Sequence, residues 1–415
     1  MNIFRGLFFT SVFLYPGCPK PPQPPTPPEP VYSCKADPKW ITAPQQPNEI
    51  AETESFCDFY QFSWQWFLAQ VSPSTTNPDE RVFERQRLFA KSMGKDQCNQ
   101  EPQTGRQTAI DMAAPRFIKM DDFEDIQADT HALYDQNGNI LLYNIWYSEQ
   151  NCSATPKGFD AGTLELKVSW TKLEEPDPTY FMVQTEEGDD QPILLGMVGF
   201  HMAIFTPHHP EMIWVTWEHK DNAPNCDGSD VEEQDWLLAS KEASKCLAEN
   251  KDPSKCSEYN FNVPEKFDGN PPHVSKPNEV CRMFPFGNEP GEAINGNDNA
   301  ANLLAIQELN EQLIGKDGFL SKLDDKDPMK VWSNYEMVGG LWTKDGQASG
   351  VAPVPHKGGE ADPNSTQRGS LELTNITMET FQQGADSYVP NCFGCHNYVP
   401  ETPLTVSHIQ SYLTE

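Results

Sequence analysis

Eleven cysteines in a chain of 415 residues constrain the fold more than any other feature, because in an oxidising compartment most of them must find a partner. Cys18 closes an apolar leader, and Cys392 and Cys395 share one short run, NCFGCHNY at 391–398. Setting those three aside leaves eight, at 34, 57, 98, 152, 226, 246, 256 and 281. An even remainder predicts four disulfides and a body of irregular segments stapled together. Roughly a hundred pairings of eight cysteines are open; only the neighbours Cys246 and Cys256 are expected to close a local loop.

The start of the chain, MNIFRGLFFTSVFLYPGC, places Arg5 ahead of an apolar run from Leu7 to Tyr15. That run is shorter than the ~20 apolar residues that span a bilayer and has the layout of a secretory signal. Gly17-Cys18 resembles the lipobox of bacterial lipoproteins, in which the cysteine is lipidated and becomes the mature N-terminus. Leu14 stands one place early, and Pro16 stands where that pattern has a small residue. Residues 19–31, PKPPQPPTPPEPV, favour extended polyproline II over a packed core, a stalk of roughly 40 Å at ~3.1 Å per residue. The expected organisation is a signal or lipoprotein-like segment at 1–18, a proline-rich linker at 19–31, and a mixed β-rich body at 32–290. A helical and loop segment at 291–415 follows, continuous with that body or separate from it. The expected location is the periplasm or cell surface, with membrane attachment only through a lipid on Cys18. A net charge of −31 excludes nucleic acid as a partner, since that needs a basic patch, and suits basic partner proteins.

Residues 54–71, ESFCDFYQFSWQWFLAQV, set Phe56, Tyr60, Trp64, Phe67 and Val71 at helical spacing, thickened by Phe59, Phe62 and Trp66. This predicts an aromatic helix for the core. Asn137-Gly138 between apolar runs predicts a hairpin turn. Residues 163–170, 193–205 and 212–219 predict strands, with TPHHPE turning between the last two. Helices are predicted at 230–250 and 299–314, and the rest of 220–300 and 343–370 reads as loops. The fold class is α+β: a β-rich, disulfide-stapled globular body with several helices and long loops, ending in the segment that carries NCFGCHNY.

In that run two cysteines stand three apart with His396 directly behind the second. Covalent c-type haem asks for two thiols that reach the vinyl groups on one porphyrin edge, and an imidazole placed to bind iron. Gly394 relieves crowding where backbone meets the ring. A structural zinc site wants four ligands; downstream only His408 is available, and the nearest upstream cysteine is Cys281. A thioredoxin-like dithiol wants a βαβ setting, which the pattern here lacks. The expectation is one covalent haem c on Cys392, Cys395 and His396, with His396 as proximal iron ligand. No phosphate-cradling glycine loop, GxSxG or HExxH occurs, so no catalytic residue is assigned.

The run resembles the attachment site of c-type cytochromes. Small members carry a methionine ligand far downstream, whereas no methionine follows His396 here. LYDQNGN, MVGFHMAIFTPHHPEMIWVTWEHKDNAP, NYEMVGGLW and LTNITMETF resemble stretches of a group of large, exported, mono-haem cytochromes, across 130–415. The resemblance implies single-electron transfer with redox partner proteins and supplies no catalytic residues. Candidates for the sixth iron position are Met378 in LTNITMETF and His408 in PLTVSHIQ. His201 and His219 join them: a hairpin closing about Pro210 sets these two opposite each other, with Ala203 opposite Trp217. An empty sixth position is the remaining case. Two other functions stay open. One is a haem-containing periplasmic oxidoreductase, peroxidase-like or substrate-oxidising, because the chain is larger than one haem needs. The other is a surface ligand-binding protein with an accessory haem.

Overall fold

Short apolar runs recur through the middle of the chain, and a computed structural model of the protein shows them building one large sheet. It describes residues 32–51, 53–99, 116–117, 131–187, 191–229, 235–267, 271–287, 297–346, 366–383, 391–396 and 398–414. The leader, the proline-rich linker and Cys18 lie outside the described residues. The strands are β1 (Arg87–Leu88), β2 (Arg116–Phe117), β3 (Leu142–Tyr147), β4 (Leu164–Leu173), β5 (Met182–Glu187), β6 (Gln191–Thr206), β7 (His209–His219), β8 (Tyr335–Thr343) and β9 (Gln367–Gly369). Their order is β1-β3-β4-β6-β7-β8-β9, with β5 also on β6 and β2 on β5. Every pairing is antiparallel except β2 with β5. The helices are α1 (Lys39–Thr42), α2 (Phe56–Val71), α3 (Asp96–Asn99), α4 (Lys241–Asn250), α5 (Asn299–Ile314), α6 (Cys392–Cys395) and α7 (Gln410–Thr414). Residues 33–415 form one compact unit, and β8 and β9 of the C-terminal third belong to the same sheet as β4, β6 and β7. No helix among the described residues is long and apolar enough to cross a membrane.

Four disulfides form: Cys34–Cys57, Cys98–Cys152, Cys226–Cys281 and Cys246–Cys256. The last is the local loop expected from spacing. Helix α2 begins where Ser55 and Asp58 cap each other reciprocally, each satisfying one free N–H of the first turn. It is apolar on nearly every side, and it lies buried between α5 and one face of the sheet, as such a helix must. Phe200, Met202, Ile204, Ile213, Val215 and Trp217 point into this aromatic core. On α5, the Asn310 amide both donates to Met337 O and accepts from Met337 N.

Three sequence expectations need correction. The β6–β7 hairpin does not close about Pro210: Thr206 pairs with His209, and β7 begins there. His201 therefore faces Thr216, and Ala203 faces Trp214. The pairing is displaced by three residues from the symmetric guess, and an odd slip exchanges the faces of one strand. The helix expected at 230–250 is shorter. Ser240 caps α4 by accepting from Ala243 N, while Leu237 and Leu238 donate their N–H to Asp221 O and Asn222 O and so are not helical. Residues 367–369, expected to be loop, form β9, and β5 and β8 were not foreseen.

The second face of the sheet is covered by residues 370–380, a strap joined to the strands mostly through polar atoms. Asn375 Nδ2–H donates to Thr216 Oγ1 at 2.8 Å, and its Oδ1 accepts from Thr377 N and Oγ1. Ile376 N–H donates to Glu218 Oε1, and Tyr143 O–H donates to Thr377 O. Gly199 and Gly339 allow the approach: a Cβ would come within 2.4 Å of Thr377 Oγ1 at the first and 2.3 Å of Ser370 Oγ at the second.

Candidate functional site

Cross-strand pairing arranges the strap face in rows. One row runs Glu165, Ala203, Trp214, Leu341, Gly369 across β4, β6, β7, β8 and β9. The next runs Lys167, His201, Thr216, Gly339. Two residues along a strand separate them by roughly 7 Å. The C-terminal segment lies over both rows and carries the cysteine pair.

Helix α6 is a single turn, held at its start by Asn391. The Asn391 side chain accepts from Phe393 N and donates to Gln367 Oε1 at 2.7 Å and Leu371 O at 2.8 Å. Phe393 is buried with Trp214, Leu341, Leu373 and Val406. Cys392 packs at the edge of that cluster and Cys395 faces solvent. Neither thiol is in a disulfide. Burial, and then the nearby Glu379 carboxylate, push both thiols above their ordinary value. Activated thiolates sit instead in electropositive surroundings with lowered values.

His396 ends the turn, its N–H donating to Cys392 O. Nδ1 lies 2.9 Å from Val406 O. A carbonyl only accepts, so Nδ1 carries the proton and Nε2 keeps its lone pair. The ring is held between Trp214, centroids 4.2 Å apart, and His408, stacked at 4.0 Å. Burial first, then neighbouring His408, lower His396 to about 3. It is therefore a neutral imidazole at ordinary pH, which is the form that binds a metal. Two unpaired thiols on one turn and an imidazole with its second nitrogen anchored fit the donor set of a covalent haem.

The other candidates are scattered. His201 lies in the row beside His396, Nε2 at 3.0 Å from Glu379 Oε2. Burial works to raise Glu379, but His201 and Lys167 hold it below its ordinary value. His219 is not with His201. It points to the opposite face, stacked on Tyr180 and edge-on to Tyr335, with Nε2–H on Thr179 O. Met378 is fully buried among Leu133, Leu141, Tyr143 and Val198, a cluster separate from the one against which Cys392 packs. His408 covers the ring face of His396, and its Nε2–H donates to Cys395 O at 3.1 Å. Among the described residues no group of three or more His, Cys, Asp or Glu could hold a metal ion by itself.

Sequence reasoning missed Trp214, Val406, Ser407, Glu165 and Glu379. No local pattern marks them, because pairing register alone brings β4 and β7 beneath the C-terminal segment. Glu165 Oε1 accepts from Ser407 Oγ–H. Burial pushes Glu165 from 4.5 up to about 7, with the Ser407 hydrogen bond opposing. A folded-state value above the unfolded one means that the native state holds the proton more tightly. This stabilisation is complete below the unfolded value and is lost as pH rises through the folded one. Between pH 5 and 8 the wild type should lose on the order of 2 kcal/mol relative to Glu165→Gln. Urea midpoints of both proteins at the two pH values check this. Compared with family models, with curated proteins and with solved structures, the chain matches none.

Proposed function

We propose that this chain is an exported, mono-haem c-type cytochrome that passes one electron at a time between partner proteins. Cys392 and Cys395 would hold haem c through thioether arms, and His396 Nε2 would be the proximal iron ligand. The observation that carries this reading is His396 itself: a neutral imidazole with Nδ1–H on Val406 O, directly behind two thiols left out of all four disulfides.

When bound, an iron porphyrin supplies a one-electron couple whose potential is set by ligands, burial and hydrogen bonds. The residues of the chain have separate tasks. Val406 O fixes the imidazole tautomer and keeps Nε2 a ligand. Trp214 and His408 hold the ring plane, and Asn391 and Phe393 anchor the turn that presents both thiols. The net charge of −31 favours encounter with basic partners at low salt. The four disulfides suit an oxidising compartment, in keeping with a secretory leader and a lipid on Cys18.

The full chain, produced with a c-type maturation system, should gain about 616 Da, the mass of one haem, and give a c-type pyridine haemochrome spectrum. Its mature N-terminus should be a lipidated Cys18. A colourless protein at unmodified mass, or haem that acid acetone extracts, defeats the reading.

A further inference from the structure

Three consecutive residues near the C-terminus hold the site from three directions. Val406 O accepts from His396 Nδ1–H at 2.9 Å. Ser407 Oγ–H donates to Glu165 Oε1 on β4. His408 stacks on the His396 ring and donates Nε2–H to Cys395 O. On its other side His396 meets Trp214 of β7, and Trp214, Ala203 and Glu165 are cross-strand neighbours in one row. Ring and clasp are thus referenced to the same three strands, and the Glu165–Ser407 bond ties the clasp to β4.

We propose that Glu165 is a positioning residue for the His396 imidazole, acting through the clasp Val406–Ser407–His408. A carbonyl that holds an imidazole N–H does so only while its own peptide is held. Val406 anchors that peptide through its buried side chain, and Ser407 anchors it through its hydroxyl. Deleting the hydroxyl or the carboxylate releases one tether on the carbonyl that selects the His396 tautomer and leaves the Val406 side chain and the Ser407 N–H on Leu404 O. Trp214 then continues to pack on the ring, but the ring is free to turn and to exchange its proton between nitrogens. Glu165 touches neither thiol nor the imidazole, so its effect is indirect.

The value of this clasp to electron transfer rests on the reading of His396 as an iron ligand; its existence does not, and the test separates the two. The full chain, secreted so that its disulfides form but without haem maturation, is labelled with 15N in its histidines. The wild type should show His396 protonated at Nδ1 and bare at Nε2, with the Nδ1 proton protected from exchange. Losing the Ser407–Glu165 hydrogen bond should reduce that protection several-fold, up to roughly tenfold, in Glu165→Ala and Ser407→Ala. Glu165→Gln, whose side-chain oxygen still accepts from Ser407, should restore it. Native protection in both alanine variants, checked as folded by their urea midpoints, overturns the proposal, and so does a loss that Glu165→Gln shares. If Glu165→Ala does not fold, Ser407→Ala, which removes one oxygen, decides alone. A parallel preparation made with haem maturation reports by its mass whether haem attaches at all. Failure there sinks the cytochrome reading and leaves the clasp to be judged on the nitrogen signals.

Discussion

Alanine at both Cys392 and Cys395 should abolish covalent haem completely while the body keeps its stability to within about 1 kcal/mol. The two outcomes separate because of where the thiols sit. Neither belongs to a disulfide, Cys395 is exposed, and Cys392 touches the apolar cluster only at its edge. Asn391 and Phe393, which hold the turn, are untouched by the change. Each single variant should keep one thioether and a shifted absorption band, since one arm still reaches one vinyl group. Intact mass and the haemochrome spectrum report the loss, and a urea titration reports the stability. An adduct that survives in the double variant would place the linkage elsewhere in the chain. A fall of several kcal/mol would mean that the thiols are structural.

The second large effect belongs to the other face of the sheet. Trp217 is fully buried near the C-terminal end of β7. It stacks on Phe67 of α2 with ring centroids 4.4 Å apart and 13° between planes, and Trp64 meets its edge at 5.7 Å. It is paired with Phe200 on one side and Met337 on the other, so one indole joins the aromatic helix to three strands. Its Nε1 has no hydrogen-bond partner among the described residues, so the cost of removal is packing and cavity. Trp217→Ala should lose about 4 kcal/mol, and Trp217→Phe, which keeps a ring against Phe67, about 1–2 kcal/mol. Urea midpoints of the two variants measure both losses; an alanine cost below about 1 kcal/mol would mean that the core collapses readily around the missing ring. The two predictions contrast the faces: the helix face supports global stability, and the strap face carries the proposed haem site.

What could be read before folding was short in range. Phe56, Tyr60, Trp64 and Phe67 recur at helical spacing, and α2 is where that spacing places it. The apolar runs at 193–205 and 212–219 marked β6 and β7, whereas β8 was missed because Gly339-Gly340 breaks the apolar pattern. Those glycines answer contacts from other parts of the chain: Ser370 of the strap at Gly339, and Val215 and Tyr60 at Gly340. Cysteine parity foretold the number of disulfides. Spacing identified Cys246–Cys256, ten residues apart, but not Cys226–Cys281, fifty-five apart, because nothing local distinguishes one distant partner from another.

The amino-acid sequence by itself determined the proposed donor set, since two thiols and an imidazole within five residues need only local geometry to come together. Tertiary structure alone decided what surrounds that turn. A displacement of three residues in the β6–β7 pairing sends His201 to the strap face and His219 into the aromatic core, and it sets Trp214 beneath His396. Register is a property of two strands at once, fixed by which side chains each face can bury, so no reading of either strand alone could reach it.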